Sequence, residues 1–478
     1  MSAGAKAEAP AHAPPRTGKS SLRLYKVLFC AAAPLCVYLI PFAAASEIKA
    51  SLAVSALMIA AWMTEVVDYS AAGLFGLALF WLLGIAEPET VFSGFVNDAA
   101  WFYFGAMLIG AMASKSGLPQ RIGNFVVTRI GKTYSRLLLG LILIDYFLIF
   151  LVPNGVAVLA ILSSVAIGIM KVFDAGKGSN IGRGLFLSLT YGTGIFNKMI
   201  VAGAASILAR SMIETSGGVT VSWGLWFVAF LPVALVTIWA QWRIALQLFP
   251  PETQSIAGRE HELRAHFRDE TPWTSLSAKA TILCLAALAL WMTDWAHHIP
   301  PALVALGVGL IALLPYIDVL DESDIKKINL TPFFFIAAAL GMSNVLRQTG
   351  ALELLGASVV SFLEPLLSNR AVAVAALYWG GFIYHFFTAS ELSMLATSLP
   401  VLMDYAKSHG LDPAFIGMIW SFSSGGKLFA YQSAVLVVGY GYGYFRHTDL
   451  IKLGFLLTVA QFVALAISVV LYWPLLGL

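Results

Sequence analysis

The chain has 478 residues, of which 59% are hydrophobic and only 12% charged, with a net charge of +3. A water-soluble protein carries about a quarter of its residues as charges, so the composition excludes a soluble globule, and the small net charge argues against a nucleic-acid binder. Cys30, Cys36 and Cys284 all lie in apolar runs without metal-ligand spacing, which reads as core packing.

Residues 1–22 are rich in Ala, Pro, Gly and Lys and are expected to be a disordered cytoplasmic tail. The first apolar run, 25–44, follows basic residues as a signal peptide would. Its length and the many runs after it predict a retained first span. Runs near the roughly 20 residues needed to cross a bilayer predict eleven spans, at 25–44, 49–66, 70–87, 97–117, 184–212, 223–247, 278–296, 301–317, 330–348, 413–445 and 449–475. Two further segments, 135–171 and 370–405, are expected to enter the membrane as re-entrant hairpins. The expectation is an all-α polytopic membrane protein in two halves. Residues 23–247 hold the first span and first repeat, 248–277 a charged cytoplasmic linker, and 278–478 the second repeat.

Lys and Arg crowd the N-terminal tail, 115–136, 171–183, 248–280 and 446–452, while the other side carries chiefly Lys49, Arg347 and Arg370. The asymmetry places the N-terminus in the cytoplasm and the C-terminus outside. Both flanks of 135–171 are then cytoplasmic, which requires an even number of passes; the same parity puts the second hairpin on the external side. Two ordinary pairs of short spans would satisfy that parity, but the few polar turn residues favour hairpins.

An internal repeat supports the division. Trp62-Met63-Thr64-Glu65 and Trp291-Met292-Thr293-Asp294 lie about 230 residues apart, each followed by an apolar span. Asn97–Gly117 is echoed by Asn329–Gly350, then come the two hairpins, and after each a span interrupted by glycine and polar residues. Five crossings separate the copies, so they insert with opposite orientation. Inverted repeats with broken helices at matching places point to a transporter's midplane site.

The first hairpin turns at Val152-Pro153-Asn154-Gly155 and the second at Thr388-Ala389-Ser390-Glu391. Counted back from the following arm, Pro153 falls opposite Ser390 and Asn154 opposite Glu391. The interrupted spans carry Gly194-Ile195-Phe196-Asn197-Lys198 and Gly425-Gly426-Lys427, the latter followed by Tyr431-Gln432-Ser433. Irregular backbone at membrane depth is tolerated only inside protein or along a cavity, and half-helix N-termini suit an anion. Asn154, Pro153, Gly155, Thr388, Ser390, Glu391, Asn197, Tyr431, Gln432 and Ser433 are therefore the expected substrate contacts.

With these motifs, and with Tyr384-His385-Phe386-Phe387-Thr388 and Gly443-Tyr444-Phe445-Arg446, the chain resembles the divalent anion:sodium symporter family, carriers of dicarboxylates and sulfate. The resemblance covers essentially everything after residue 22. It implies a homodimer of the bacterial inner membrane, a scaffold and a transport domain that moves like an elevator, substrate held between the hairpin tips, and a sodium ion beside each tip. Family members usually carry Ser-Asn-Thr at both tips, of which this chain keeps Asn154 and Ser390, and the Gly-Thr-Pro-Pro-type loop after the first hairpin is absent. Carry-over is limited to Asn154, Ser390, Thr388 and the broken-helix residues.

Ionisable groups at membrane depth are functional candidates by default. Lys198 and Lys427 occupy equivalent breaks, with Gly194, Gly425 and Gly426, where the resemblance puts sodium; their ammonium groups would stand in for that ion. Alternatively each snorkels to a surface or pairs with Asp145 or Glu391 as a strut. Asp145, Glu391 and His385 are the candidates for carrying a coupling proton, with a buried ion pair the competing role for the carboxylates. Glu65, Asp68 and Asp294 read as water-facing caps, and the neighbours His297 and His298 point different ways and predict no metal site. No nucleotide loop, nucleophile–base arrangement or cofactor motif is present in the sequence, so no enzyme and no cofactor beyond sodium is expected. The leading function is a secondary carrier of a small dianion, a di- or tricarboxylate first and sulfate or a sulfonate second, with a sodium-coupled symporter of the same anions as the alternative. The alternatives of another class are an anion channel or an intramembrane enzyme, the latter with only Asp145, Glu391 and His385 as raw material.

Overall fold

A computed structural model describes residues 19–39, 45–130, 133–152, 154–255, 261–262, 273–355, 365–367, 369–388 and 390–478. Most of the expected tail, much of the linker, Pro153 and Ala389 lie outside the described residues. Within them the chain forms eighteen α-helices of eight residues or more and no β-strand. Five helices are long and apolar enough to cross a membrane: Ser46–Thr64, Gly155–Val172, Trp223–Leu248, Ser275–Met292 and His447–Leu476. The remaining apolar segments are shorter, broken or folded into hairpins.

In chain order, α1 (Lys19–Leu39), α2 (Ser46–Thr64), α3 (Tyr69–Leu82) and α4 (Asp98–Lys115) come first. Next is α5 (Leu118–Ile130), an amphipathic helix in the basic stretch that the sequence reading treated only as a connection. Helices α6 (Tyr134–Leu148) and α7 (Gly155–Val172) form the first hairpin. The next span is broken into α8 (Asn180–Phe196) and α9 (Ala204–Gly217), followed by α10 (Trp223–Leu248). The second half runs through α11 (Ser275–Met292), α12 (Pro301–Ile311) and α13 (Thr331–Gln348) to a second hairpin of α14 (Arg370–Tyr384) and α15 (Glu391–Ser408). A second broken span follows, α16 (Pro413–Ser423) and α17 (Ala434–Gly441), before α18 (His447–Ile467). The order hairpin, broken helix, long helix thus occurs twice.

Short polar side chains start many of these helices. Asn97, Thr133, Ser179, Ser222, Thr274, Asn369 and Asp412 each accept a first-turn amide, which satisfies donors that an apolar surround leaves without water. Asp68 caps α3 at the surface as expected. Asp294 does not face water. It is buried and accepts from the Trp223 and Gly224 amides at 2.6 and 3.4 Å, capping α10 from the other half of the chain. Its neighbour His297 contacts the Leu290 carbonyl at 2.8 Å, and no cluster of metal-ligating side chains occurs among the described residues.

Helices α2, α3, α4, α12 and α13 pack on one another, α4 lying along α12 and α3 along α13. A second group holds the hairpins and broken helices, with α6 and α7 on α8, α15 on α9, α14 on α16 and α17 on α8. The hairpins are based at different places. The Tyr134 amide beside the first donates to the Gln254 carbonyl at 3.0 Å. Arg370 at the base of the second reaches the Leu478 carbonyl and stacks on Phe415.

In the first group Gly105 on α4 lies directly against the backbone of α12, where an added Cβ would stand 2.5 Å from the Ala305 carbonyl carbon. Gly105→Ala is expected to push the two helices apart and to cost about 1–3 kcal/mol, read as a lowered unfolding temperature of the detergent-solubilised protein.

Candidate functional site

Both hairpin tips are helix starts. Asn154 caps α7, its Oδ1 accepting the Ala157 amide at 3.2 Å. Ser390 caps α15, accepting the Ser393 amide at 3.1 Å. Their shared role corrects the sequence register by one residue: Asn154 corresponds to Ser390, and Gly155 to Glu391. Gly155 sits against the two broken spans, where an added Cβ would meet Val435 at 2.9 Å and Thr193 at 3.2 Å. Glu391 sits against both breaks themselves.

The decisive feature is there. Lys198, just past the end of α8, and Lys427, just past the end of α16, are fully buried, and each forms an ion pair with one carboxylate oxygen of Glu391. Lys427 Nζ also donates to the Gly194 carbonyl at 2.9 Å, so it spans from the second break back to the first. One carboxylate at the tip of the second hairpin therefore ties together two broken helices from opposite halves of the chain. The lysine side chains have no exposure, whereas that of Glu391 keeps 12%. Glu391 is thus the one member of the three whose side chain keeps any exposure. His385, buried at the end of α14, lies within electrostatic reach of all three charges.

The breaks leave backbone groups that other residues satisfy. The Trp226 indole N–H donates to the Lys198 carbonyl and the Trp223 indole to the Val201 carbonyl, both at 3.0 Å. The Tyr191 hydroxyl reaches the Lys427 carbonyl at 3.2 Å and the Leu450 carbonyl at 2.6 Å. Gln432 Oε1 accepts the Leu428 and Phe429 amides at 2.8 and 2.9 Å. Sequence reasoning took the tryptophans for packing and interfacial belts and Gln432 for a substrate contact. Their visible signal was position alone, a Trp pair at the start of the helix after the first break and a Gln within the second.

The other sequence candidates fall as follows. Asn197 is next to Lys198, its Oδ1 without a hydrogen-bond partner. Thr388 is buried and its hydroxyl reaches the His385 carbonyl at 3.5 Å. Tyr431 is half-exposed and donates to the Phe386 carbonyl at 3.0 Å, and Ser433 precedes α17. Gly425 lies 3.6 Å from the Lys198 stem and Gly426 packs under Phe382, measured to the Cβ either would carry. Asp145 does not join a lysine. It is fully buried in α6, accepts the Thr193 hydroxyl at 2.7 Å and lies directly over Gly192.

A cavity of about 390 Å³ leads to the first tip. Asn154 and Ala157 line it on one side, and Lys115 of α4 with Asp324 and Lys327 on the other. Lys115 is itself held by Asp321 and Asp324, at 2.7 and 2.6 Å.

The chain matches the sodium:sulfate symporter transmembrane region over residues 21–478. It belongs to that family, the divalent anion:sodium symporters, and is a membrane transporter. Among relatives, a citrate/succinate antiporter of Escherichia coli is 26% identical over 402 residues, covering 81% of this chain and 80% of its own. A putative malate transporter, YflS of Bacillus subtilis, is 24% identical over 96% of this chain and 98% of its own. Among solved structures, the Alcanivorax borkumensis YdaH transporter superposes with a TM-score of 0.57 at 15% identity, covering 95% of this chain and 99% of its own. MtrF of Neisseria gonorrhoeae gives 0.55 at 10% identity, with 94% and 95% covered. These structures share the fold.

The site holds two buried ammonium groups and one carboxylate. At the breaks where sodium is expected stand two ammonium groups, and Lys427 Nζ already takes the Gly194 carbonyl. That donor set does not fit a sodium ion, which would be placed against fixed positive charge.

Trp226→Phe keeps most of the ring volume and removes the donor to the Lys198 carbonyl. It is expected to cost about 1–3 kcal/mol, the penalty for a buried carbonyl left unsatisfied, and a thermal melt of the purified variant measures it.

Proposed function

We propose that this protein is a sodium-independent exchanger of small dicarboxylates and tricarboxylates, with sulfate or a sulfonate as the next class. The observation that carries the reading is the pair of buried lysines, Lys198 and Lys427, converging on a single carboxylate. Two ammonium groups fixed at that spacing form a receptor for one carboxylate group, and the residue occupying it is itself a carboxylate. The names of the relatives, citrate/succinate antiporter and L-tartrate/succinate antiporter among them, agree with carboxylate exchange.

In this reading substrate enters by the cavity at Asn154, whose Lys115 and Lys327 are balanced by Asp321 and Asp324, and moves to the lysine pair between the tips. Asn154, Ser390 and Thr388 supply neutral hydrogen bonds beside the charge, and the amides at the starts of α7 and α15 favour an anion. The two hairpin-and-broken-helix sets are inverted repeats that form one transport body. It slides as an elevator against the scaffold of α2, α3, α4, α12 and α13, in a homodimer of the bacterial inner membrane with the N-terminus cytoplasmic and the C-terminus outside. A lysine cannot leave with the substrate as a sodium ion does. The carrier therefore returns with another anion bound, which makes it an exchanger.

Purified protein in liposomes loaded with succinate tests this. Uptake of labelled citrate, succinate or tartrate is expected to persist when sodium is replaced by choline and to need an internal anion. Lys198→Met and Lys427→Met should each lower the rate about tenfold or more, since a charged hydrogen bond contributes about 1.5–3 kcal/mol. Strong dependence on sodium would overturn the reading, and so would uptake into anion-free vesicles at the same rate.

A further inference from the structure

We infer that Glu391 is the resident occupant of the carboxylate receptor, that an incoming dianion displaces it, and that it takes up one proton as it leaves. The inference rests on the exchanger reading and adds to it a proton as the co-substrate of each binding event.

The geometry begins with exposure. Glu391 is the one member of the cluster whose side chain keeps some exposure, and both lysines are fully enclosed. A substrate carboxylate reaching Lys198 and Lys427 must take the place of the carboxylate already there. Glu391 is placed to yield. It is the first residue of α15, directly after the capping residue Ser390, so its side chain hangs from a hairpin tip and not from the middle of a packed helix. The lysines have no such freedom, since the carbonyl of Lys198 is held by Trp226 and that of Lys427 by Tyr191.

Charge balance supplies the proton. Two ammonium groups and Glu391 leave the empty site with one net positive charge. A dianion bound to the two ammonium groups neutralises them, so a displaced and still ionised Glu391 would be a buried carboxylate without a cation. Such a group costs several kcal/mol. A proton from water removes that cost by forming a neutral carboxylic acid, and the loaded site is then neutral throughout. Among the described residues no other charged group faces Glu391 to supply the missing charge. The groups facing it are Lys198, Lys427 and the buried His385. On the elements packed against α15, Arg210 and Glu214 of α9 pair with each other, Arg347 of α13 lies with Asp404 and Lys407 toward the far end of the arm, and the charges of α2, Glu47 and Lys49, stand at the start of that helix.

The consequence is a carrier whose neutral, membrane-crossing form holds one dianion and one proton, while its empty form keeps a net charge and does not cross. Exchange of one dianion for another then moves no net proton, but its rate falls as the pH rises and protons become scarce.

The test is proton uptake on binding. Wild-type protein in weakly buffered detergent solution at about pH 7 is titrated with tartrate, which remains a dianion there, while a pH indicator reports free protons. About one proton taken up per tartrate bound is expected for wild type, and none for Glu391→Gln, which carries the neutral form permanently. Tartrate binding to wild type without proton uptake overturns the inference, whether or not E391Q folds. Equal uptake by wild type and E391Q also overturns it, because the proton then resides elsewhere. In liposomes, wild-type exchange should slow several-fold from about pH 6 to about pH 8; a flat profile counts against the inference. No binding or exchange of any dicarboxylate by wild type would instead overturn the exchanger reading itself.

Discussion

The structure depends on one carboxylate shared by two ammonium groups. Lys198 and Lys427 come from broken helices of different halves of the chain, and both are buried where an unpaired ion would cost several kcal/mol. Glu391 meets the need of both at once. The tip of the second hairpin, the two breaks and the Gly194 carbonyl are thereby fixed relative to one another by charge. Removing any member leaves the others exposed to that cost, so the cluster acts as a unit and the effects of substituting its three residues do not add.

The breaks that carry the lysines need a second kind of support. Interrupting a helix at membrane depth frees amides and carbonyls that no water satisfies. Here Trp223, Trp226 and Tyr191 donate to those carbonyls, and Gln432 accepts the amides. The donors come from the helix after the break or from the opposite broken span, so each irregular segment is held by its surroundings. The proposed cycle requires a stiff frame of breaks with one movable element, the hairpin tip. In the proposed cycle the stiff part provides the receptor and the movable part provides its occupant.

Much of this was legible in the sequence because the constraints involved are local. Apolar run length marks helices, and proline or glycine beside polar residues marks turns and breaks; the hairpins and both broken spans followed from those signals. The lysine positions were legible too, since a charge inside an apolar run needs a reason. What failed were choices decided by packing between distant segments. Asp145 could have met a lysine by composition alone, yet α6 lies against α8 at Gly192 and Thr193, so its partner is a hydroxyl. Asp294 looked like a cap at a water-facing end and instead serves α10. The tip register slipped by one residue because it was counted by length, whereas the chain sets it by which side chain caps the arm.

The proposed site differs in kind from one built around sodium. A bound sodium ion is a removable positive charge, so a site that uses it can be neutral when empty and can draw on an external gradient. A lysine is permanent, and the empty site must hold a negative charge of its own or carry two bare cations. Placing that negative charge on a hairpin tip, as Glu391, keeps the empty state stable and the occupant displaceable. Placing it on a rigid helix such as α8 would give the same resting stability and a receptor that no substrate could enter. In the proposed reading, where lysine stands in for sodium, the location of the counter-charge decides whether the site is a strut or a carrier, and in this chain it lies at the tip.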